Sequence, residues 1–125
     1  MGVSAENQEW WNRRVPLLLS VPAHVRFVSY EPALGPISGC SATGLDWVII
    51  GGESGAHARP FDLVWAREAI SICRRDGASP FVKQLGAVPN DDGVLLSLRD
   101  SHGGEWDEWE DSSLRIREFP KGFSL

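Results

Sequence analysis

Two kinds of apolar pattern alternate along this chain. Val25-Arg26-Phe27-Val28-Ser29-Tyr30 and Trp47-Val48-Ile49-Ile50 are short runs rich in β-branched and aromatic residues, stopped by Glu31-Pro32 and by Gly51-Gly52-Glu53-Ser54-Gly55. Runs of this kind predict strands. The unbroken apolar character of the second suits a parallel strand buried on both faces. Pro80 to Gly86 predicts a further short strand, and Gly2-Val3-Ser4 reads as a strand end running into a turn. Between these runs the spacing becomes helical. Leu63, Ala66, Ile70 and Cys73 recur at three- and four-residue steps, with Arg67, Glu68, Ser71, Arg74 and Arg75 on the other faces. Asp62 is a good N-cap for this helix and Gly77 stands at its expected C′ position. Another helix is predicted from Gln8 to about Arg14, capped by Ser4 or Asn7, with Trp10 or Trp11 on its buried side. Pro16 either breaks it or opens a second helix over Leu17-Leu18-Leu19, and Pro22 ends that stretch.

Strands alternating with helices imply an α/β fold with parallel strands. The texture changes at Pro89. Asp91-Asp92-Gly93 is a turn, Val94 to Leu98 a short strand, Ser101 to Asp111 a polar loop containing tryptophan, and Leu114 to Phe119 alternates as a half-exposed strand does. The expected organisation is an α/β region over residues 1–88, with a small β-rich extension over 89–125 packed on the same domain.

Composition narrows the function classes. A chain of 125 residues supports one domain with a real core. Twelve Lys and Arg against seventeen Asp and Glu leave a net charge of −5, which gives no bulk attraction to phosphate backbones or anionic membranes. Nucleic-acid binding would need a local stripe built from Arg13, Arg14, Arg26, Arg59, Arg74 and Arg75. No run approaches the roughly 18 apolar residues of a membrane span, and no secretory signal is evident, so a cytoplasmic location is expected. Cys40 and Cys73, the two cysteines, are too few and too widely spaced for a metal motif or a disulfide framework. Both are expected to be reduced, Cys73 in a helix core and Cys40 in a loop.

In parallel α/β folds, functional groups gather where strands end. Those positions here are Ser4, Glu6 and Asn7, then Ser29 and Glu31, then Glu53 and Ser54, and finally Lys83 and Gln84. The same residues also cap helices and close turns in proteins with no site. The glycine-rich turn Gly51-Gly52-Glu53-Ser54-Gly55 either lets a ligand approach the backbone or simply closes a structural turn. It is not a P-loop, lacks the GxGxxG spacing, and is one residue short of a GxSxG elbow. His24, His57 and His102 are scattered, with no pair spaced for zinc. No catalytic residue emerges.

Taken together, Gly2 to Gln8, Arg13 to Leu19, Arg26 to Pro32, Asp46 to Gly55, Ala58-Arg59-Pro60 and Val82-Lys83-Gln84 form a specific series of motifs. The series resembles the C-terminal half of a bacteriophage- and prophage-associated protein family of unknown function with radical-SAM-like features. Gly103-Gly104, Trp109 and Arg115 to Pro120 look like that family's ending, whereas Leu85 stands where the family commonly has Trp. The resemblance implies a partial, half parallel β/α barrel. It also implies that Glu6, Asn7, Ser29, Glu31, Gly51, Gly52, Glu53, Lys83 and Gln84 line the barrel mouth, with Ser54, from the strand-end reading, as a further ligand-binding candidate. In full-length relatives these would meet S-adenosylmethionine or substrate, beside a [4Fe–4S] cluster held by closely spaced cysteines in the N-terminal half. This chain has no such motif, so independent radical-SAM catalysis and a cofactor held by this chain alone are not expected.

The expected function is therefore that of a truncated phage- or prophage-type protein acting as a binding or interaction module. One alternative is a subunit of a split enzyme whose cluster half is a separate chain; another is a nucleic-acid-binding phage protein. Half a barrel exposes apolar surface, so either the C-terminal strand folds over the open side or a homodimer or protein partner covers it, and the homodimer is expected.

Overall fold

The computed structural model describes residues 1–121. The chain runs through β1 (Gly2–Ser4), α1 (Gln8–Leu19), β2 (Phe27–Tyr30), β3 (Trp47–Gly51), β4 (Phe61–Asp62), α2 (Leu63–Asp76), β5 (Ser79–Gln84), β6 (Pro89–Asp91) and β7 (Val94–Leu95), and ends in two short 3-10 turns, Trp106–Glu108 and Ser112–Leu114. β1, β2, β3 and β5 form one parallel sheet in that spatial order. β4, β6 and β7 form a second, small sheet, with β6 parallel to β4 and antiparallel to β7.

The register of the main sheet explains its two faces. Val3, Val28, Val48 and Pro80 align across the four strands, and Tyr30, Ile50 and Val82 align one pleat further on. Apart from Val3, which is partly buried, these residues are fully buried and share one core with Trp11, Val15 and Leu18 of α1 and Ala66, Ala69, Ile72 and Cys73 of α2. Both helices thus cover the same face, and strand order follows chain order, as in the wall of a β/α barrel. The sheet stops at β1 and β5, and closure into a barrel is not seen among the described residues.

The opposite face departs from the expectation that β3 is buried on both sides. Trp47 and Ile49 are only half-buried there. No described helix covers this face; instead, Phe27, Trp47 and Phe81 pack edge to face at 5.9 and 5.8 Å, and Phe119 of the C-terminal tail lies 5.7 Å from both Trp47 and Phe81.

The tail also closes the outer edge of β5. The Val82 N–H donates to the Ile116 carbonyl at 2.8 Å, and the Glu118 N–H to the Pro80 carbonyl at 3.1 Å. Trp47 Nε1 donates to the Glu118 carbonyl. The half-exposed strand expected over Leu114 to Phe119 shrinks to a single antiparallel bridge between Phe81 and Arg117. Two causes are visible: Leu114 is buried at the end of a 3-10 turn, and Pro80 has no N–H with which to continue a ladder.

α1 settles two open choices. Asn7, not Ser4, is the cap, its side chain accepting from the Trp10 N–H at 3.1 Å. Trp11 is buried and Trp10 exposed. The helix also runs straight through Pro16 instead of breaking. Pro16 and Asn12 both face solvent, where water can satisfy the carbonyl that the proline leaves free, while Val15 and Leu18 anchor the helix on its buried side. Asp62 caps α2, and Gly77 ends it with φ 86°, both as expected. Cys40 and Cys73 are free and buried, and burial pushes their thiols up to about 11 and about 12. Among the described residues no helix is long and apolar enough to cross a membrane.

Candidate functional site at the strand ends

The C-terminal ends of β1, β2, β3 and β5 lie along one rim, and the candidate residues there separate into two groups. The first stands on the aromatic face of the sheet. Ser29 Oγ donates to Glu31 Oε1 at 3.1 Å, and Lys83 Nζ lies 3.5 Å from the same oxygen. Period-two alternation is the reason: Ser29 and Glu31 point to the same side of β2, and the register brings Lys83 of β5 within reach across β3. Gly51 lies between them, where an added Cβ would come within 3.0 Å of Glu31 Oε2. Lys83 is exposed and Glu31 half-buried, so the pair is open to exchange with a charged ligand.

The second group surrounds a groove of about 430 Å³ whose lining includes Glu6, Asn7, Trp10, Arg14, Glu53 and Arg59. Glu53 is bound within its own loop. Its Oε1 accepts from the Arg59 backbone N–H and from Arg59 Nε, both at 3.0 Å, and its Oε2 from Nη2 at 2.8 Å. The side-chain bond to Arg59 and then the Arg59 N–H pull the Glu53 carboxyl down to about 2. Glu6 pairs with Arg14 at 3.6 Å, and the Arg14 guanidinium lies 4.4 Å from the centre of the Trp10 ring.

Other candidates have structural roles. Asn7 is the α1 cap. Gln84 Nε2 donates to the Gly52 carbonyl at 2.9 Å, joining the ends of β3 and β5. Gly52 is required by chain packing: a Cβ there would stand 2.6 Å from the Leu85 carbonyl oxygen. Gly103 continues the stack, since its Cβ would stand 2.6 Å from the Gly86 carbonyl. The Gly51-Gly52 turn thus admits a neighbouring strand end. Ser54 is half-buried in the bend after β3.

The six arginines of the possible basic stripe are largely matched. Arg13, Arg14, Arg59, Arg74 and Arg75 pair with Glu9, Glu6, Glu53, Glu118 and Asp76. Arg26 donates to the Val21 carbonyl. The sequence reading of the rim missed Trp10, Arg14 and Arg59. The four-residue step from Trp10 to Arg14 was the available signal for the first two.

A family model described as "Protein of unknown function (DUF5131)" matches residues 1–114. The chain belongs to that family. No curated protein and no solved structure gives a significant match. Both rim groups and the glycine stack fall inside the span matched by DUF5131, whereas Arg117 and Phe119 of the tail lie beyond it.

Proposed function

We propose that this DUF5131 chain is a binding module of a phage- or prophage-type radical-SAM-like protein, with its ligand site at the Ser29–Glu31–Lys83 group. The observation that carries this reading is the placement of one carboxylate and one ammonium, 3.5 Å apart and open to solvent, at the C-terminal ends of parallel strands. An α-amino-acid head group is complementary to that pair, its ammonium replacing Lys83 at Glu31 and its carboxylate replacing Glu31 at Lys83. S-adenosylmethionine carries such a head group. A [4Fe–4S] cluster does not fit this chain: it requires converging thiolates, whereas both thiols here are buried and protonated near neutral pH. Nor do the described residues contain a group of three His, Cys, Asp or Glu suited to a metal ion.

Calorimetric titration with S-adenosylmethionine tests the site. Saturable binding is expected in the wild type, with at least tenfold loss in Lys83→Met and Glu31→Gln and nearly unchanged melting temperatures. No binding to the wild type, or variants that melt early and still bind, would refute the proposal.

The half-exposed aromatic face favours self-association as well. We propose a homodimer built on the part of that face around Phe27 and Ile49, beside the Trp47 and Phe81 rings that Phe119 covers. Light scattering at micromolar concentration should give about twice the chain mass, and a clean monomer would leave the tail as the sole cover.

A further inference from the structure

A second cavity, of about 320 Å³, opens between α2 and the C-terminal segment, and Leu85, just beyond the end of β5, contributes to its lining. Its lining combines apolar side chains with polar and charged ones. Leu63, Leu85, Trp109 and Leu114, each at most 4% exposed, contribute to the lining, and Leu96 and Leu98 are half-exposed there. The volume sits at the lower end of the range of small-molecule sites, and such sites combine an apolar body with a few placed charges.

The charges at this cavity have a definite sign. Arg67 contributes one positive charge, but Asp91 and Asp111 both bind it. Arg67 Nη1 and Nη2 donate to the two oxygens of Asp91 at 2.8 and 2.7 Å, and Nε donates to Asp111 at 2.6 Å. An arginine so matched has little left to offer an anion. Glu108 and Glu110 add two further carboxylates to the lining. Glu108 is occupied by the backbone N–H groups of Arg99 and Asp100 and lies 3.6 Å from the Arg99 guanidinium, which leaves four carboxylates against two guanidinium groups. Glu110 is exposed and has no partner among the described residues. A metal ion is not favoured, because no three ligating groups converge among those residues.

We infer that this cavity binds a small organic cation with an apolar arm, the alkyl- or arylamine class, its arm against Leu98 and Trp109 and its ammonium near Glu110. Transfer of the arm from water to the leucine-lined interior drives binding, and the excess of carboxylates selects the positive head group. The cavity lining shares no residue with the Ser29–Glu31–Lys83 group.

Hexylammonium, hexanol and hexanoate provide probes of one arm and three head groups, read by the methyl chemical shifts of Leu63, Leu98 and Leu114 in the full chain. Saturable shifts are expected with hexylammonium at concentrations at least tenfold below those needed for hexanoate, with hexanol between them. Glu110→Gln, an exposed change that leaves the fold intact, should weaken hexylammonium about threefold and leave hexanol unchanged. Ser97→Trp, which places an indole in the lining, should abolish the shifts for all three. Absence of saturable shifts, equal response to hexanoate, or shifts confined to the strand-end rim would overturn the inference.

Discussion

The main sheet and the segment from Pro89 onward are stabilised in different ways. In the sheet, backbone ladders run between fully buried Val28, Tyr30, Val48, Ile50 and Val82, and β2 and β3 are flanked by a strand on each side. The later segment has short strands, with Val94 and Leu95 67% and 70% exposed. Single polar side chains hold much of it in place. Arg67 ties β6 and the Asp111 turn to α2, Glu108 gathers the N–H groups of Arg99 and Asp100, and Asp100 accepts from those of His102 and Gly104. Arg117 donates to the carbonyls of Val82, Lys83 and Gly104. Redundant apolar contact spreads a loss over many atoms; a polar tether concentrates it in one residue.

The largest effect is expected in the sheet. Ile50→Ala should cost about 2–5 kcal/mol in chemical denaturation, because Ile50 is fully buried in a strand flanked on both sides. A loss below about 1 kcal/mol would mean that the core can collapse around the cavity. Arg67→Ala comes next. Its global cost should be about 1 kcal/mol, since the group is partly exposed, but it leaves Asp91 and Asp111 without their shared cation. Hydrogen exchange should accelerate over residues 89–114 and stay slow in β3. Equal acceleration in both would show that the two regions open as one unit.

The smallest effect belongs to Glu53. Its carboxyl is held near 2 instead of the ordinary 4.5, so the folded state favours the ionised form. That contribution is complete above pH 4.5 and is lost as pH falls toward about 2. A carbon-detected NMR titration should place the midpoint there, and Arg59→Gln should move it back toward 4.5. An unchanged midpoint in the variant would remove Arg59 as the cause.

Legibility in the sequence follows the same division. β2, β3, α2 and β5 announce themselves through period and capping because many residues share the task of burial. β4 and β6 do not, since strands of two or three residues leave no period to read. At the rim, chain position identified Ser29, Glu31 and Lys83 as strand-end groups, and their convergence needed only the register. The roles of Gly52, Gln84 and Arg67 were hidden. Each depends on a partner many residues away, Leu85 for Gly52 and Asp91 and Asp111 for Arg67, which no local pattern encodes.

The way the tail meets β5 has a bearing on solubility. An outer strand with free N–H and carbonyl groups is a template on which another copy of the chain can add, and repeated addition leads to aggregates. Here Pro80 removes one donor from that edge, the Ile116 carbonyl occupies the Val82 donor, and the Arg117 guanidinium occupies the carbonyls of Val82 and Lys83. The edge is spent. Strand addition at β5, which has no natural end, is thereby blocked, and a copy meeting this side of the molecule is left the face of the sheet, where contacts can close.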